Sequence, residues 1–147
     1  MRAAIAIPLV ASLLTSCKKE EVMPEVPEIA LVSMSTQNVT EFEDHVTVRF
    51  SYKDVDGDLG RTDPDDYTLW VKDARLENPD GYHIPPLAPE GTEVPIQGEL
   101  EVELHALFLL GSSSEEQTHY TIHIVDRAGN RSNEFTTGTI TINRDSL

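Results

Sequence analysis

Cysteine is almost missing from this chain. Cys17 is the single one in 147 residues, so no intramolecular disulfide can staple the fold. Basic residues are scarce as well: 11 Lys and Arg stand against 26 Asp and Glu, a formal net charge of −15. A phosphate backbone is gripped by clustered Lys and Arg, so this balance excludes nucleic acid as a partner and disfavours docking on anionic lipid. It favours solubility and cation binding instead. No glycine-rich phosphate loop precedes a helical pattern, and no nucleophile-elbow pattern surrounds Ser112, Ser113 or Ser114. Nucleotide chemistry and serine hydrolysis therefore have no foothold, and the expectation is a protein that is not an enzyme. His119 and His123 share a strand face but stand about 13 Å apart at ~3.3 Å per residue, too far to reach one zinc.

Long apolar runs are also lacking. The longest, Ala3 to Leu14, spans 12 residues and is interrupted by Pro8 and Ser12. A spanning helix needs roughly 20. Behind Arg2, and closed by small residues, this run has the pattern of a cleaved secretory signal over residues 1–16. Leu14-Thr15-Ser16-Cys17 resembles the bacterial lipoprotein processing site. That resemblance implies lipidation of Cys17, which becomes the new N-terminus and holds the protein to a membrane through its acyl chains. The bland alternative is an ordinary buried or reactive cysteine. Lys18-Lys19-Glu20-Glu21 is similar to the export pattern of some Gram-negative surface lipoproteins and implies the outer membrane, at the cell surface. A solvated Lys/Glu tether is the plainer reading. Loss of residues 1–16 removes Arg2 and no acid, leaving the mature chain more acidic still. Residues 17–27, with Pro24 and Pro27, read as the lipidated cysteine and a flexible, extended tether.

From residue 28 to 147 the pattern turns to period-two alternation broken by turn chemistry, the mark of strands. Ile29 to Ser35 alternates weakly, and Gln37 to Asp44 reads as a polar connection. In His45 to Tyr52, Val46, Val48, Phe50 and Tyr52 share one face. Tyr67, Leu69 and Val71 share a face in the next strand, with Trp70 on the other. Residues 73–96 form a long connection rich in proline and glycine, with a short edge strand near Tyr82 to Ile84. Glu99 to Phe108 puts Leu100, Val102, Leu104, Ala106 and Phe108 inward. Residues 111–116 read as a loop. Tyr120, Ile122 and Ile124 point inward from Thr118 to Val125, and Phe135 to Asn143 closes the domain with a bulge expected near Gly138. The fold class is all-β: an antiparallel sandwich of six or seven strands.

The most specific chemistry is Asp54-Val55-Asp56-Gly57-Asp58-Leu59-Gly60. In a strand these aspartates would line one face and repel. In a tight loop they can converge on a hard cation, most plausibly calcium, which takes six to eight oxygens. Asp63 and Asp65 complete the candidate ligand set. An EF-hand fits imperfectly, since that loop has glycine sixth and glutamate twelfth, whereas here Gly57 is fourth and Asp65 twelfth. A solvated acidic turn is the alternative.

Residues 125–133 contain Asp126-Arg127-Ala128-Gly129-Asn130-Arg131-Ser132, similar to the turn near the last hairpin of bacterial immunoglobulin-like and cadherin-like domains. The resemblance implies an immunoglobulin-like order in which His45–Tyr52 is strand B and Thr118–Val125 strand F. The acidic loop and residues 126–133 then lie at one end and touch, with Asp126 and Asn130 as support. It also pairs Arg49 with Glu101 or Glu103. The resemblance implies a class and not a partner; taken with the lipoprotein site, the tether and the strand pattern, the expectation is a binding or adhesion lipoprotein acting on an envelope protein or a glycan. The alternatives are a purely structural envelope protein without metal and a carbohydrate-binding accessory module.

Overall fold

The computed structural model describes residues 26–105 and 107–145. The expected signal segment, Cys17 and most of the expected tether lie outside the described residues. Among those described there is no α-helix. Ten strand segments run in order: β1 (Glu28–Met34), β2 (Asn38–Thr40), β3 (Val46–Asp54), β4 (Leu69–Asp73), β5 (Asp80–Tyr82), β6 (Ile96–Leu104), β7 (Glu115–Thr118), β8 (Tyr120–Ile124), β9 (Phe135–Thr136) and β10 (Ile140–Asn143).

One layer is the ladder β1-β3-β6. The other holds β5-β4-β8-β9 and β2-β10-β7. Only His119 separates β7 from β8, and only residues 137–139 separate β9 from β10, so these two ladders continue one another along the chain. Breaks of this kind, and the three-residue strands β2 and β5, carry the count past the six or seven that alternation predicts. The result is the expected all-β sandwich, with β1, β3 and β6 in one layer and the edge-to-edge order β5-β4-β8-β9 in the other.

Side chains from both layers fill a single core. Val46, Val48, Phe50, Ile122, Ile124, Ile140 and Ile142 have no exposed surface at all. They are the inward residues of their strands, because successive side chains of a pleated strand point to opposite faces. Burying each contributes roughly 1.5–3 kcal/mol. On the outside of β3, Arg49 stands opposite Glu101, with its Nε and Nη2 donating to Glu101 Oε1 at 2.9 and 2.6 Å. Both side chains are half exposed, so solvent screens the pair and it adds little to stability.

Several expectations are corrected. The polar connection 37–44 contains β2, which pairs in parallel with β10, so the sandwich is not wholly antiparallel. Three residues are too few to show alternation, and Val39 alone carries its burial. Tyr67 does not share the inward face of Leu69 and Val71. It precedes β4, is 50 % exposed, and meets Trp70 edge-on at 6.5 Å. The strand expected over Glu99–Phe108 runs from Ile96 and stops at Leu104. Beyond it the phase slips: Leu107 and Leu109 are buried, and Phe108 is not. The chain is there leaving one layer for the other, held by Phe42 N–H donating to the Leu107 carbonyl. Glu115 and Glu116 belong to β7, not to the serine loop, because they pair with Asn143 and Ile142. The expected bulge near Gly138 is a full interruption of the strand between β9 and β10.

One buried polar knot ties the layers' lower ends. Asp73 at the end of β4 accepts from the Arg75 guanidinium and from the Thr118 hydroxyl, while Arg75 also donates to Glu116 and to the Phe108 carbonyl. Burial alone would raise the Asp73 pKa. The Arg75 and Thr118 bonds outweigh it and hold the carboxyl below its ordinary 3.8. A folded value below the unfolded one means stability that is present above about pH 4 and is lost as pH falls through the folded value. Asp73→Asn is therefore expected to lower stability near pH 7 by about 2 kcal/mol and to narrow the difference between urea midpoints at pH 7 and pH 3. An unchanged difference would contradict this role.

Candidate metal centre

β3 ends on a charge. Asp54 has no exposed surface: it is the last residue of β3 and stands in phase with the buried Val46, Val48 and Phe50, beyond the half-buried Ser51, Tyr52 and Lys53. The chain then turns within the next six residues, and two glycines make the turn possible. Gly57 and Gly60 hold φ of 70° and 81°, the left-handed region. A side chain is excluded at both. A Cβ would lie 2.2 Å from the Val94 carbonyl oxygen at Gly57, and 2.2 Å from the Pro85 carbonyl oxygen at Gly60. Between them Leu59 points into the core and is 1 % exposed. The acidic loop is thus plugged into the sandwich by an apolar side chain and does not wave above it.

Two other segments clamp it. From the long 74–95 connection, Val94 N–H donates to the Asp56 carbonyl and Leu87 N–H to the Leu59 carbonyl. From the turn after β8, Arg127 N–H donates to the Asp58 carbonyl. The Arg127 guanidinium donates to the Gly57 and Gly60 carbonyls, each at 3.2 Å, and the Ala128 N–H to Asp58 Oδ2 at 2.9 Å. The two motif-bearing loops touch, as the strand order requires. Asp126, fully buried, accepts from the Asn130 backbone and side-chain amides at 2.7 and 2.8 Å and closes its own turn.

Within this clamp the carboxylates divide their oxygens. Asp54 Oδ2 accepts from the Asp58 N–H at 3.0 Å, and Asp58 Oδ2 from Ala128. The other oxygens, Asp54 Oδ1, Asp56 Oδ1 and Asp58 Oδ1, are buried with no hydrogen-bond partner. Asp54, Asp56 and Asp58 each bring a carboxylate oxygen within 4.8 Å of the others. Unpaired buried oxygens are costly, and three of like charge are costlier. Burial first, then contact with Asp56 and the charge of Asp58, push the Asp54 carboxyl up to about 7. Burial and then the nearby Asp126 charge also raise Asp58, against the pull of the Ala128 amide and Arg127. The residues fit a divalent cation: an all-oxygen set, negatively charged, with lone pairs left over.

Asp63 and Asp65 are not brought into this set. Both are exposed, and Asp63 Oδ1 accepts from the Asp65 N–H in a local turn of its own. Arg127 is the residue that sequence reasoning missed. Its signal is an arginine placed directly after the supporting Asp126, facing a loop with carbonyls to cap. No family model, curated protein or solved structure matches the chain.

Crowding has a measurable consequence. At pH 8 in chelator, Asp54→Asn is expected to stabilise the protein by on the order of 1 kcal/mol in urea unfolding, because it removes one repelling charge while its amide oxygen still accepts from Asp58. A loss of stability would contradict the crowding.

Proposed function

We propose that the chain is a non-catalytic cell-envelope lipoprotein, held to the outer membrane through lipid on Cys17. Its immunoglobulin-like sandwich is a binding or adhesion module whose loop end is ordered by calcium. The observation that carries this reading is the trio of buried, unpartnered carboxylate oxygens on Asp54, Asp56 and Asp58. Zinc favours nitrogen and sulfur donors. Magnesium demands near-octahedral geometry and keeps its waters, whereas calcium accepts an irregular shell of oxygens completed by solvent. The cluster is wired into the fold by its own hydrogen bonds, which favours a structural ion over a reacting centre.

The anchor bears on the orientation. Glu28, at the start of β1, pairs with Lys53, next to Asp54, and the Ile29 N–H and carbonyl are both bonded to the Asn133 side chain. The chain thus enters the domain at the acidic-loop end. A tether from Cys17 would place the cation on the membrane side and leave the opposite end and the sheet faces free for a partner.

Calcium titration followed by thermal melting tests the metal part. Calcium at a hundred times its Kd adds about 2.7 kcal/mol, which for a domain of this size raises Tm on the order of 5–10 °C. Asp56→Asn is expected to lose most of that gain, and magnesium at the same concentration to give less of it. No shift at millimolar calcium would leave the loop as a turn in a purely structural envelope protein.

A further inference from the structure

The outer face of the β5-β4-β8-β9 sheet collects what the rest of the surface lacks. Among the described residues every arginine is engaged. Arg49 meets Glu101, Arg61 the Arg127 carbonyl, Arg75 the Asp73 and Glu116 carboxylates, Arg131 Glu134, and Arg144 Glu41. Arg127 caps the acidic loop. Lys72 is different: among the described residues its side-chain ammonium has no ion pair or hydrogen bond. An ammonium left unpaired in a chain of net charge −15 is unusual, because acids outnumber bases more than two to one.

Lys72 opens onto a groove of about 420 Å³, within the size range of small-molecule sites. Its walls include His119, Thr121, His123, Arg131 and Glu134. The sheet register explains the grouping: Lys72 stands opposite Thr121, and Trp70 opposite His123. Glu134 is the one carboxylate among the lining residues, and it is held by Arg131. His123, its side chain only 15 % exposed, lies 3.4 Å from the Arg131 guanidinium through Nδ1. Burial, then the Arg131 charge, lower its pKa, so near neutral pH it offers the groove an uncharged ring. Beside the groove Trp70 and the half-exposed Tyr67 form an edge-to-face aromatic pair. Cations for an anionic group, hydroxyl and imidazole for hydrogen bonds, and an aromatic ledge for a ring face therefore meet on one sheet surface.

We propose that this groove binds an acidic saccharide, with its carboxylate or sulfate at Lys72 and Arg131 and a sugar ring against Trp70 and Tyr67. With Arg131 already shared with Glu134, Lys72 leaves the groove one net positive charge, too little for a phosphate backbone but suited to a single anionic group. The site lies on the outer face of the β5-β4-β8-β9 sheet. The inference rests on the reading of the domain as a binding module and is independent of the cation.

The test is a titration of the full chain, at low salt and in chelator, with three probes: a trigalacturonate, a sulfated heparin disaccharide and neutral maltotriose. One acidic probe is expected to bind, with affinity falling as NaCl is raised. Which acidic probe binds identifies carboxylate or sulfate as the anion. Lys72→Glu, an exposed change checked by an unaltered Tm, is expected to weaken that binding by at least about fivefold. Binding of maltotriose alone would keep the binding-module reading and overturn the anionic groove. Acidic binding indifferent to Lys72→Glu would overturn the location, and binding of none of the three would overturn the inference itself.

Discussion

Everything at the acidic-loop end of this domain depends on a carboxylate that has no exposure. Asp54 closes β3 at a position that alternation assigns to the core, and two more carboxylates are brought to it within six residues. Left alone, such a cluster should spring open, since like charges in a shielded site repel strongly. The chain resists by surrounding it with donors. The Asp58 and Ala128 amides each satisfy one carboxylate oxygen, and Arg127 spans two carbonyls of the loop. What remains unsatisfied is one buried oxygen on each aspartate. A cation removes the repulsion and the unpaired oxygens together.

The cluster also works as a joint. Leu59 fixes the loop to the core, the 74–95 connection lies across Gly57 and Gly60, and the β8–β9 turn closes the third side. Three segments far apart in sequence thus share one small volume, where the chain also enters through Glu28 and Ile29. Opposite, Asp73 and Glu116 share Arg75 in a second polar knot. The contrast is instructive: the lower knot carries a counter-charge in the chain, and the upper one is short of it.

Much of this was legible in the residues. The alternation from Val46 to Phe50 and from Tyr120 to Ile124 set the faces of the central strands, because in both a fully buried row faces a wet one. Strand order then brought the acidic loop and Asp126–Asn130 together. Legibility failed where tertiary contacts decide. β2 exists because β10 offers it a parallel edge, which no three-residue pattern reveals. The slip at Leu107 reflects a crossing between layers, and Tyr67 stands outside because β4 begins two residues later. Asp63 and Asp65 share composition with the ligand set but follow the turn that aims it, so spacing alone overcounted the carboxylates.

The account makes a local claim, and amide hydrogen exchange reads it residue by residue. Adding calcium should slow exchange at Asp58, Arg127 and Ala128, whose N–H groups are bonded to the carboxylates or carbonyls of the loop, while leaving Phe50 and Ile122 in the core strands unchanged. Protection that is absent at these three amides, or that rises equally throughout the sandwich, would contradict a cation held by Asp54, Asp56 and Asp58.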